Sequence, residues 1–325
     1  MNYVIQAEGL RKRFGETKAL DGVDLAVKRG TVLGVLGPNG AGKTTAVRIL
    51  ATLLKPDGGR AEVCGYDVVK DAARVRAMIG LTGQYASVDE ELTGAENLVM
   101  IARLLDFGRS EARARARELL DRFQLTEASS RAVKTYSGGM RRRLDLAASL
   151  INRPEVIYLD EPTTGLDPRA RNEVWETVRG VVAEGATVLL TTQYLDEADT
   201  LADRIMVFDH GRVIAAGRSD DLKSQIGRQT LSVRATQPFR TAQLTAIVAE
   251  LTGERPDVQE PAGLVTAPVT DPTVISALVR RLDEASIVAA ELALRMPSLD
   301  EVFLALTGHL AEEPTADLVT EGSVA

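Results

Sequence analysis

The chain has 325 residues, of which 45% are hydrophobic and 26% are charged, and it carries a net charge of −7. This length allows a full hydrophobic core and two domains, one large and one small, while the negative charge argues against nucleic acid as a partner. A single cysteine, Cys64, excludes an internal disulfide and favours a reducing, cytoplasmic compartment.

Residues 1–222 are predicted to form an α/β domain, because short β-rich runs alternate with helical stretches. We predict strands at 31–36, 155–159 and 186–191 and helices at 42–54 and 169–183. This alternation is typical of a largely parallel sheet covered by helices.

Between about residues 90 and 153 the strand signal disappears and leucines recur at helical spacing, which predicts an inserted α-helical subdomain. Arg113, Arg115 and Arg117 lie two residues apart there. Residues at that spacing point to different sides of a helix, so we expect a solvated helix rather than a basic binding face.

Residues 228–310 show the order β-α-β-β-α-β, which predicts a small α+β, ferredoxin-like C-terminal domain. A last helix is expected to start at Ser298, with Glu301 completing a capping box. Residues 311–325 lack Lys and Arg and are predicted to be a disordered acidic tail.

No apolar run of about 18 residues occurs, and the N-terminus has no basic segment followed by an apolar core. We therefore expect neither a transmembrane segment nor a signal peptide. Any function at a membrane would be exerted from outside the lipid.

A glycine-rich run between a predicted strand and a predicted helix satisfies the phosphate-loop (P-loop) pattern. Its backbone N–H groups can turn inward on phosphates, Lys43 can neutralise the β and γ oxygens, and the Thr44 hydroxyl can reach Mg²⁺. The predicted nucleotide-binding residues of this run are Gly37, Pro38, Asn39, Gly40, Ala41, Gly42, Lys43, Thr44 and Thr45.

Two carboxylates end an apolar strand further along the chain. Asp160 is placed to hold Mg²⁺ through its water shell beside the phosphate loop. Glu161 follows at once, and a second carboxylate at that point can orient and deprotonate an attacking water.

Ser137, Gly138 and Gly139 open a predicted helix. Ser137 is a good N-cap, and two glycines allow an anion to approach the backbone closely. Each glycine weakens a helix by about 1 kcal/mol, so an ordinary capped helix does not explain them.

These motifs, in this order, resemble the ATP-binding subunit of an ABC transporter over about residues 3–220. The resemblance implies that Phe14 stacks on adenine, although by itself Phe14 would more often be a core residue. It also implies that Gln84 reaches the metal and the water, and that Asp167 lies in a loop that communicates between two ATP sites. Ser137 to Gly139 would cap the γ-phosphate bound to the opposite subunit.

Two positions depart from the family pattern. Met140 replaces the usual Gln of the signature, and Gln193 replaces the switch histidine. Neither His210 nor His309 is placed to substitute. Gln193 can still hydrogen-bond a γ-phosphate, but it cannot titrate near neutral pH.

With the C-terminal sequence of residues 297–308, these departures resemble the daunorubicin-resistance type of ABC ATPase, which drives drug and lipid exporters. This resemblance implies ATP and Mg²⁺ as cofactors and a head-to-tail homodimer closing around two ATP molecules. It further implies a peripheral location on the cytoplasmic face of the membrane, a separate integral membrane permease that contacts the cargo, and no nucleic acid.

Three alternatives remain open. A soluble ABC ATPase of translation or DNA repair usually has two cassettes, a long coiled coil or zinc cysteines, which this sequence lacks. A non-catalytic nucleotide sensor is disfavoured by the intact Lys43, Asp160 and Glu161. The chain could also be an ABC subunit that serves a different cargo.

Overall fold

A computed structural model describes residues 3–83, 88–226, 229–259 and 261–307. These residues divide into two compact units, and the second begins at Ser219. The division falls slightly before residue 222, the predicted end of the first domain.

The first unit combines an antiparallel sheet with a mixed central sheet. The antiparallel sheet has the order β2-β1-β4-β5, and the central sheet has the order β10-β9-β3-β8-β7-β6, in which only the edge pair β9 and β10 is antiparallel. The strands are β1 (Tyr3–Phe14), β2 (Thr17–Lys28), β3 (Val32–Leu36), β4 (Gly58–Val63), β5 (Tyr66–Asp67), β6 (Ile79–Thr82), β7 (Val156–Asp160), β8 (Thr187–Thr192), β9 (Arg204–Asp209) and β10 (Arg212–Gly217).

Strands β3, β7 and β8 are buried at every position. Their nearly continuous apolar sequences suit strands covered on both faces, as in parallel sheets. Because the three strands are parallel neighbours, their carboxyl ends lie at one edge of the sheet. That edge carries the residues that follow Leu36, Leu159 and Thr192, where an α/β fold places its ligand.

Helices cover the central sheet and fill the predicted insertion. Between β6 and β7, the residues that the structure describes are helical apart from loops and an isolated bridge joining Thr93 to Ala132. The helices are α1 (Lys43–Leu50), α2 (Ala72–Met78), α3 (Gly94–Leu104), α4 (Arg109–Arg122), α5 (Gly138–Ser149), α6 (Pro168–Ala183) and α7 (Leu195–Leu201), with a 3-10 turn at Val133–Thr135.

The arginine-rich helix α4 differs from the prediction at one residue. Arg113 and Arg117 are exposed as expected, but Arg115 is only 7% exposed. Its guanidinium donates to the carbonyl oxygens of Leu150 and Ile151, at 2.6 and 3.1 Å. These carbonyls follow the last turn of α5, where carbonyl groups lack partners within the helix. Arg115 therefore caps α5 and is not a solvated residue.

The second unit has the ferredoxin-like topology. Its antiparallel sheet has the order β12-β13-β11-β14, and its core includes Leu231, Val233, Leu244 and Leu278. The elements are α8 (Ser219–Ile226), β11 (Gln229–Ala235), a 3-10 turn (Pro238–Arg240), α9 (Thr241–Thr252), β12 (Asp257–Gln259), β13 (Leu264–Val269), α10 (Val274–Glu284), β14 (Ala289–Arg295) and α11 (Leu299–Thr307).

The predicted capping box is present at α11. The backbone N–H of Ser298 donates to the Glu301 carboxylate at 2.8 Å, and the N–H of Glu301 donates to the Ser298 hydroxyl at 3.2 Å. The predicted tail at 311–325 lies outside the described residues. Within the described ranges, no helix is long and apolar enough to cross a membrane.

Candidate nucleotide site

The phosphate loop joins the end of β3 to the start of α1, and neighbouring backbone leaves no room for a side chain at two of its glycines. A Cβ atom on Gly37 would lie 2.4 Å from the carbonyl oxygen of Phe208. Gly42 has a φ of +104°, and a Cβ there would lie 2.4 Å from the carbonyl oxygen of Ala19. Contacts this short exclude a side chain at either position.

Helix α1 begins at Lys43 with Gly42 as its N-cap, and no side chain caps it. The first N–H groups of a helix lack partners within the helix, and together with the helix dipole they favour an anion. The local backbone is therefore suited to phosphate.

Lys43 is held inside the loop. Its side chain is 4% exposed, and Nζ donates to the carbonyl oxygens of Gly37 and Pro38, at 2.6 and 3.1 Å. Nζ also lies 3.5 Å from Oε1 of Glu161. The ammonium group is thus fixed between the loop and the end of β7.

Asp160 ends β7 and meets two hydroxyl groups. Its Oδ1 accepts hydrogen bonds from the Thr44 hydroxyl, at 3.2 Å, and from the Thr191 hydroxyl. The Thr44 and Asp160 oxygens are hard donors of the kind that Mg²⁺ prefers. The donor set therefore fits Mg²⁺.

Glu161 adopts a left-handed backbone conformation with φ of 50°. Its N–H donates to the carbonyl oxygen and the hydroxyl of Thr191, at 3.1 and 3.2 Å, and the Thr164 hydroxyl lies 3.4 Å from its carboxylate. Such a conformation is uncommon outside glycine and persists where the surroundings impose it. It turns the chain sharply after β7.

Phe14 ends β1 and is 52% exposed. It is therefore not a core residue, although a lone phenylalanine more often is one. One cavity is lined by Phe14, Thr17, Ala19, Pro38, Asn39, Gly40, Ala41, Gly42, Lys43, Thr44, Thr45 and Glu161. The structure thus brings the predicted aromatic, the phosphate loop and the strand-end acid together.

Gln193 follows β8, the strand between β3 and β7. In the sheet register, Thr192 pairs with Leu36 and Thr191 pairs with Asp160. Gln193 therefore emerges at the same sheet edge as the phosphate loop and is half-buried. His210 has an 86% exposed side chain beside Asp209, whereas Gln84 and His309 lie outside the described residues.

Ser137 is the N-cap of α5, as predicted from the sequence. Its hydroxyl accepts a hydrogen bond from the N–H of Met140 at 3.2 Å, and both Ser137 and Gly138 are exposed. The first turn of α5 is thus open to a ligand from outside the chain.

The two signature glycines differ in their packing within the chain. A Cβ on Gly139 would lie 3.0 Å from Cβ of Ala170 in α6, and one on Gly138 would lie 3.3 Å from Cδ2 of Leu166. Close packing against α6 therefore accounts for Gly139 without a ligand, contrary to expectation. At Gly138 the neighbour is only the flexible end of Leu166 in the loop before α6, so packing does not explain that glycine.

Asp167 belongs to that loop. It is exposed and caps α6, with Oδ1 accepting from the N–H of Ala170 at 2.8 Å, and Pro168 occupies the first helical position. Because Leu166 lies against Gly138, this loop is adjacent to the start of α5.

Sequence reasoning missed two buried charges near this edge. Arg142 is 8% exposed, and burial lowers its pKa against the opposing effect of Asp145, Glu197 and Asp160. Glu197 is fully buried, and burial raises its pKa. The sequence signal that could have indicated their burial is a charged residue at a helical position that faces the core.

Comparison with known proteins identifies the family. The ABC transporter profile matches residues 20–164. A daunorubicin resistance ATP-binding protein of Streptomyces coeruleorubidus is 55% identical over 97% of this chain and 98% of its own length. The chain belongs to the ABC transporter family.

Other members of the family agree with this assignment. A daunorubicin/doxorubicin resistance ATP-binding protein of Streptomyces peucetius is 50% identical over 98% of this chain and 96% of its own. A solved dimeric ATP-binding cassette with bound ADP and phosphate has a TM-score of 0.60 and 26% identity, covering 66% of this chain and 98% of that one. This ABC protein is accordingly a nucleotide-binding ATPase subunit whose activity is coupled to transport, and subunits of this family dimerise and work with membrane permeases.

Proposed function

We propose that this ABC protein is the ATP-hydrolysing subunit of an exporter that moves hydrophobic drugs, antibiotics or lipids through a separate integral membrane permease. The observation that carries the proposal is the convergence of Lys43, Thr44 and Glu161 at one cavity, with Asp160 hydrogen-bonded to the Thr44 hydroxyl. Support for the cargo class comes from the daunorubicin-resistance relatives, which match nearly the whole chain. The permease contacts the cargo, and this chain binds at the cytoplasmic face of the membrane.

In the proposed site, the phosphate loop and the first turn of α1 bind the triphosphate, and Phe14 stacks on adenine. Thr44 and Asp160 would hold Mg²⁺, with Gln84 as a further ligand implied by the family resemblance. When bound, Mg²⁺ would supply positive charge to the triphosphate. Lys43, already oriented by two carbonyl groups, adds a second positive charge.

Glu161 is the proposed base. It accepts a proton from the water that attacks the γ-phosphorus, and the bond between the γ-phosphorus and the bridging oxygen breaks to give ADP and phosphate. Gln193 donates an amide hydrogen bond to the γ-phosphate without changing charge. The fixed backbone turn at Glu161 supports this role, because a base must be positioned before the reaction.

Two copies are proposed to close head to tail around two ATP molecules. Ser137 and the N–H groups at Gly138 and Gly139 would cap the γ-phosphate of the partner, and Asp167 would communicate between the sites. The exposure of Ser137 and Gly138 and the dimeric ADP-bound relative support this arrangement. The exposed N-terminus of a helix is chemically suited to phosphate, because its first N–H groups lack partners within the helix.

The test is ATP hydrolysis by the chain purified with the membrane protein that accompanies it in gentle detergent. We expect Glu161→Gln to bind ATP, to lose hydrolysis and to accumulate as a closed dimer. Glu176→Gln, an exposed glutamate in α6, is the matched control and should retain native turnover. Undiminished turnover in Glu161→Gln would refute the assignment of the base.

The export step needs a separate measurement. Cells that lack the permease should become sensitive to the hydrophobic compounds that it expels, and the native chain but not Glu161→Gln should restore resistance when supplied to cells lacking this subunit. Resistance restored equally by both chains would contradict ATP-driven export.

A further inference from the structure

Arg142 links the start of α5 to the ends of two strands. Its Nη1 donates to the carbonyl oxygen of Gly83 at 2.8 Å, and its Nη2 donates to that of Asp160 at 3.3 Å. Gly83 follows β6 and Asp160 ends β7, and these two strands are parallel neighbours. The planar fork of an arginine holds two acceptors in a rigid geometry, whereas a lysine presents a single ammonium group on a flexible stem.

The surroundings of Arg142 make this link costly to break. The side chain is 8% exposed, and Asp145, Glu197 and Asp160 supply the negative charges around it. Glu197 in turn accepts a hydrogen bond from Trp175 Nε1 of α6 at 3.1 Å. A buried charge is costly unless hydrogen bonds and nearby opposite charges offset its desolvation, so losing either carbonyl contact is unfavourable for Arg142.

Arg142 lies on the same short helix as the exposed signature residues. Ser137 caps α5, and Arg142 lies within its first half. The carbonyl acceptor at Asp160 belongs to the residue whose carboxylate meets Thr44 of the phosphate loop. One side chain therefore connects the surface offered to a partner's nucleotide with the strand that serves the chain's own nucleotide.

We propose that Arg142 is a positioning residue that fixes the N-terminal end of α5 relative to Asp160. It would thereby hold the surface around Ser137, which contacts the partner's ATP, in a fixed geometry relative to the chain's own phosphate loop. The role rests on the proposed ATP-sandwich dimer. It predicts that losing Arg142 weakens ATP-dependent dimer closure much more than it weakens nucleotide binding to a single chain.

Arg115 provides a matched control at the opposite end of α5. It is similarly buried, at 7% exposed, and it also donates to two backbone carbonyl oxygens, those of Leu150 and Ile151. Arg115→Met thus removes the same kind of contact from the same helix without touching Gly83 or Asp160. A general loss of α5 stability would affect both variants.

The experiment uses the full chain carrying Glu161→Gln, which is expected to trap the closed dimer. Sedimentation at saturating ATP and Mg²⁺ gives the dimer dissociation constant, and calorimetry with ADP gives the affinity of the single chain. Adding Arg142→Met should raise the dimer dissociation constant by about tenfold or more, because hydrogen bonds from a charged group are lost. The ADP affinity should stay within about threefold of that of the Glu161→Gln chain. Adding Arg115→Met should lower the melting temperature but leave the dimer constant within about threefold.

Arg142→Lys keeps the positive charge but loses the rigid fork, so it should give an intermediate dimer dissociation constant. This variant carries the test if Arg142→Met does not fold. If the Arg142→Met variant, or Arg142→Lys in its place, has the same dimer dissociation constant as the Arg115→Met variant, the positioning role is overturned. That result would leave the proposed sandwich dimer standing. If Glu161→Gln with native Arg142 stays monomeric with ATP, the proposed sandwich dimer is refuted, and the role of Arg142 is refuted with it.

Discussion

The ammonium nitrogen of Lys43 lies 3.5 Å from Oε1 of Glu161, and neither side chain is more than 9% exposed. This buried pair joins the phosphate loop to the end of β7. Removing one partner of a buried pair leaves an uncompensated charge and is strongly destabilising, by about 3–5 kcal/mol, whereas neutralising both partners costs less.

We therefore expect Lys43→Met to lower the free energy of unfolding and to lose ATP binding. Adding Glu161→Gln to Lys43→Met should recover part of the stability, because a neutral amide needs no buried counter-charge, but it should not recover ATP binding. Urea denaturation of both single variants and the double variant measures the coupling. Additive losses of stability would show that the two side chains do not interact.

Gln193→His tests the non-titrating switch. The new imidazole should introduce a step in the pH dependence of ATP hydrolysis near pH 6.5, the ordinary pKa of histidine, with about one proton involved. The measurement is the turnover number at saturating ATP between about pH 5.5 and 8. Gln193→Asn is the control and should give no such step.

The native chain should lack that step, since Gln193 cannot titrate. An identical step in the native protein would assign the pH dependence to another group and contradict the role of Gln193.

The sequence could predict the central strands and the positions of the site because both depend on local patterns. Strands β3, β7 and β8 are buried throughout, and each contains the short apolar stretch typical of a strand covered on both faces. The site residues follow shortly after these stretches. Strand β1 lacks such a pattern, because its pairing with β2 is interrupted by several register shifts. Each such shift changes which residues face the core.

Contacts between residues distant in sequence could not be predicted in the same way. Arg142 reaches a carbonyl oxygen 59 residues earlier, and Arg115 reaches one 36 residues later. A run of arginines does not indicate which member will be buried, because the acceptor is a backbone carbonyl that any sequence supplies. The packing of Gly139 against Ala170 likewise depends on the meeting of two helices.

Gly138→Ala and Gly139→Ala should differ in stability. At Gly138 the added methyl meets the end of a flexible leucine side chain at 3.3 Å, and alanine is the better helix former. At Gly139 it meets Cβ of Ala170 at 3.0 Å, and overpacking costs about 1–3 kcal/mol. Thermal unfolding should therefore show a lower melting temperature for Gly139→Ala than for Gly138→Ala.

A second substitution separates packing from ligand contact at this glycine. Ala170→Gly removes the clashing methyl, so the double variant should recover the melting temperature lost in Gly139→Ala. If the backbone at Gly139 also approaches a partner's phosphate, ATP-dependent dimerisation should stay impaired in the double variant. Recovery of dimerisation together with stability would assign Gly139 to packing alone.

Glu197 gives a prediction for stability against pH. It is fully buried, and burial raises its pKa from the ordinary 4.5 despite the hydrogen bond from Trp175 and the opposing effect of Thr192 and Thr163. A raised folded pKa means that the protonated acid is favoured in the folded state. The corresponding stabilisation is complete below the unfolded pKa of about 4.5 and is lost as the pH rises through the folded pKa.

The free energy of unfolding of the native chain should therefore fall relative to Glu197→Gln as the pH rises above about 4.5, and the difference should level off above the folded pKa. Urea denaturation of both proteins at a series of pH values gives this difference. For the control Glu176→Gln, changed at an exposed position, the difference in free energy of unfolding from the native chain should not vary with pH. A difference that rises with pH would show that Arg171 and the neighbouring donors stabilise the carboxylate by more than burial costs, and a constant difference would show that the two effects cancel. Either result would contradict a raised pKa of Glu197.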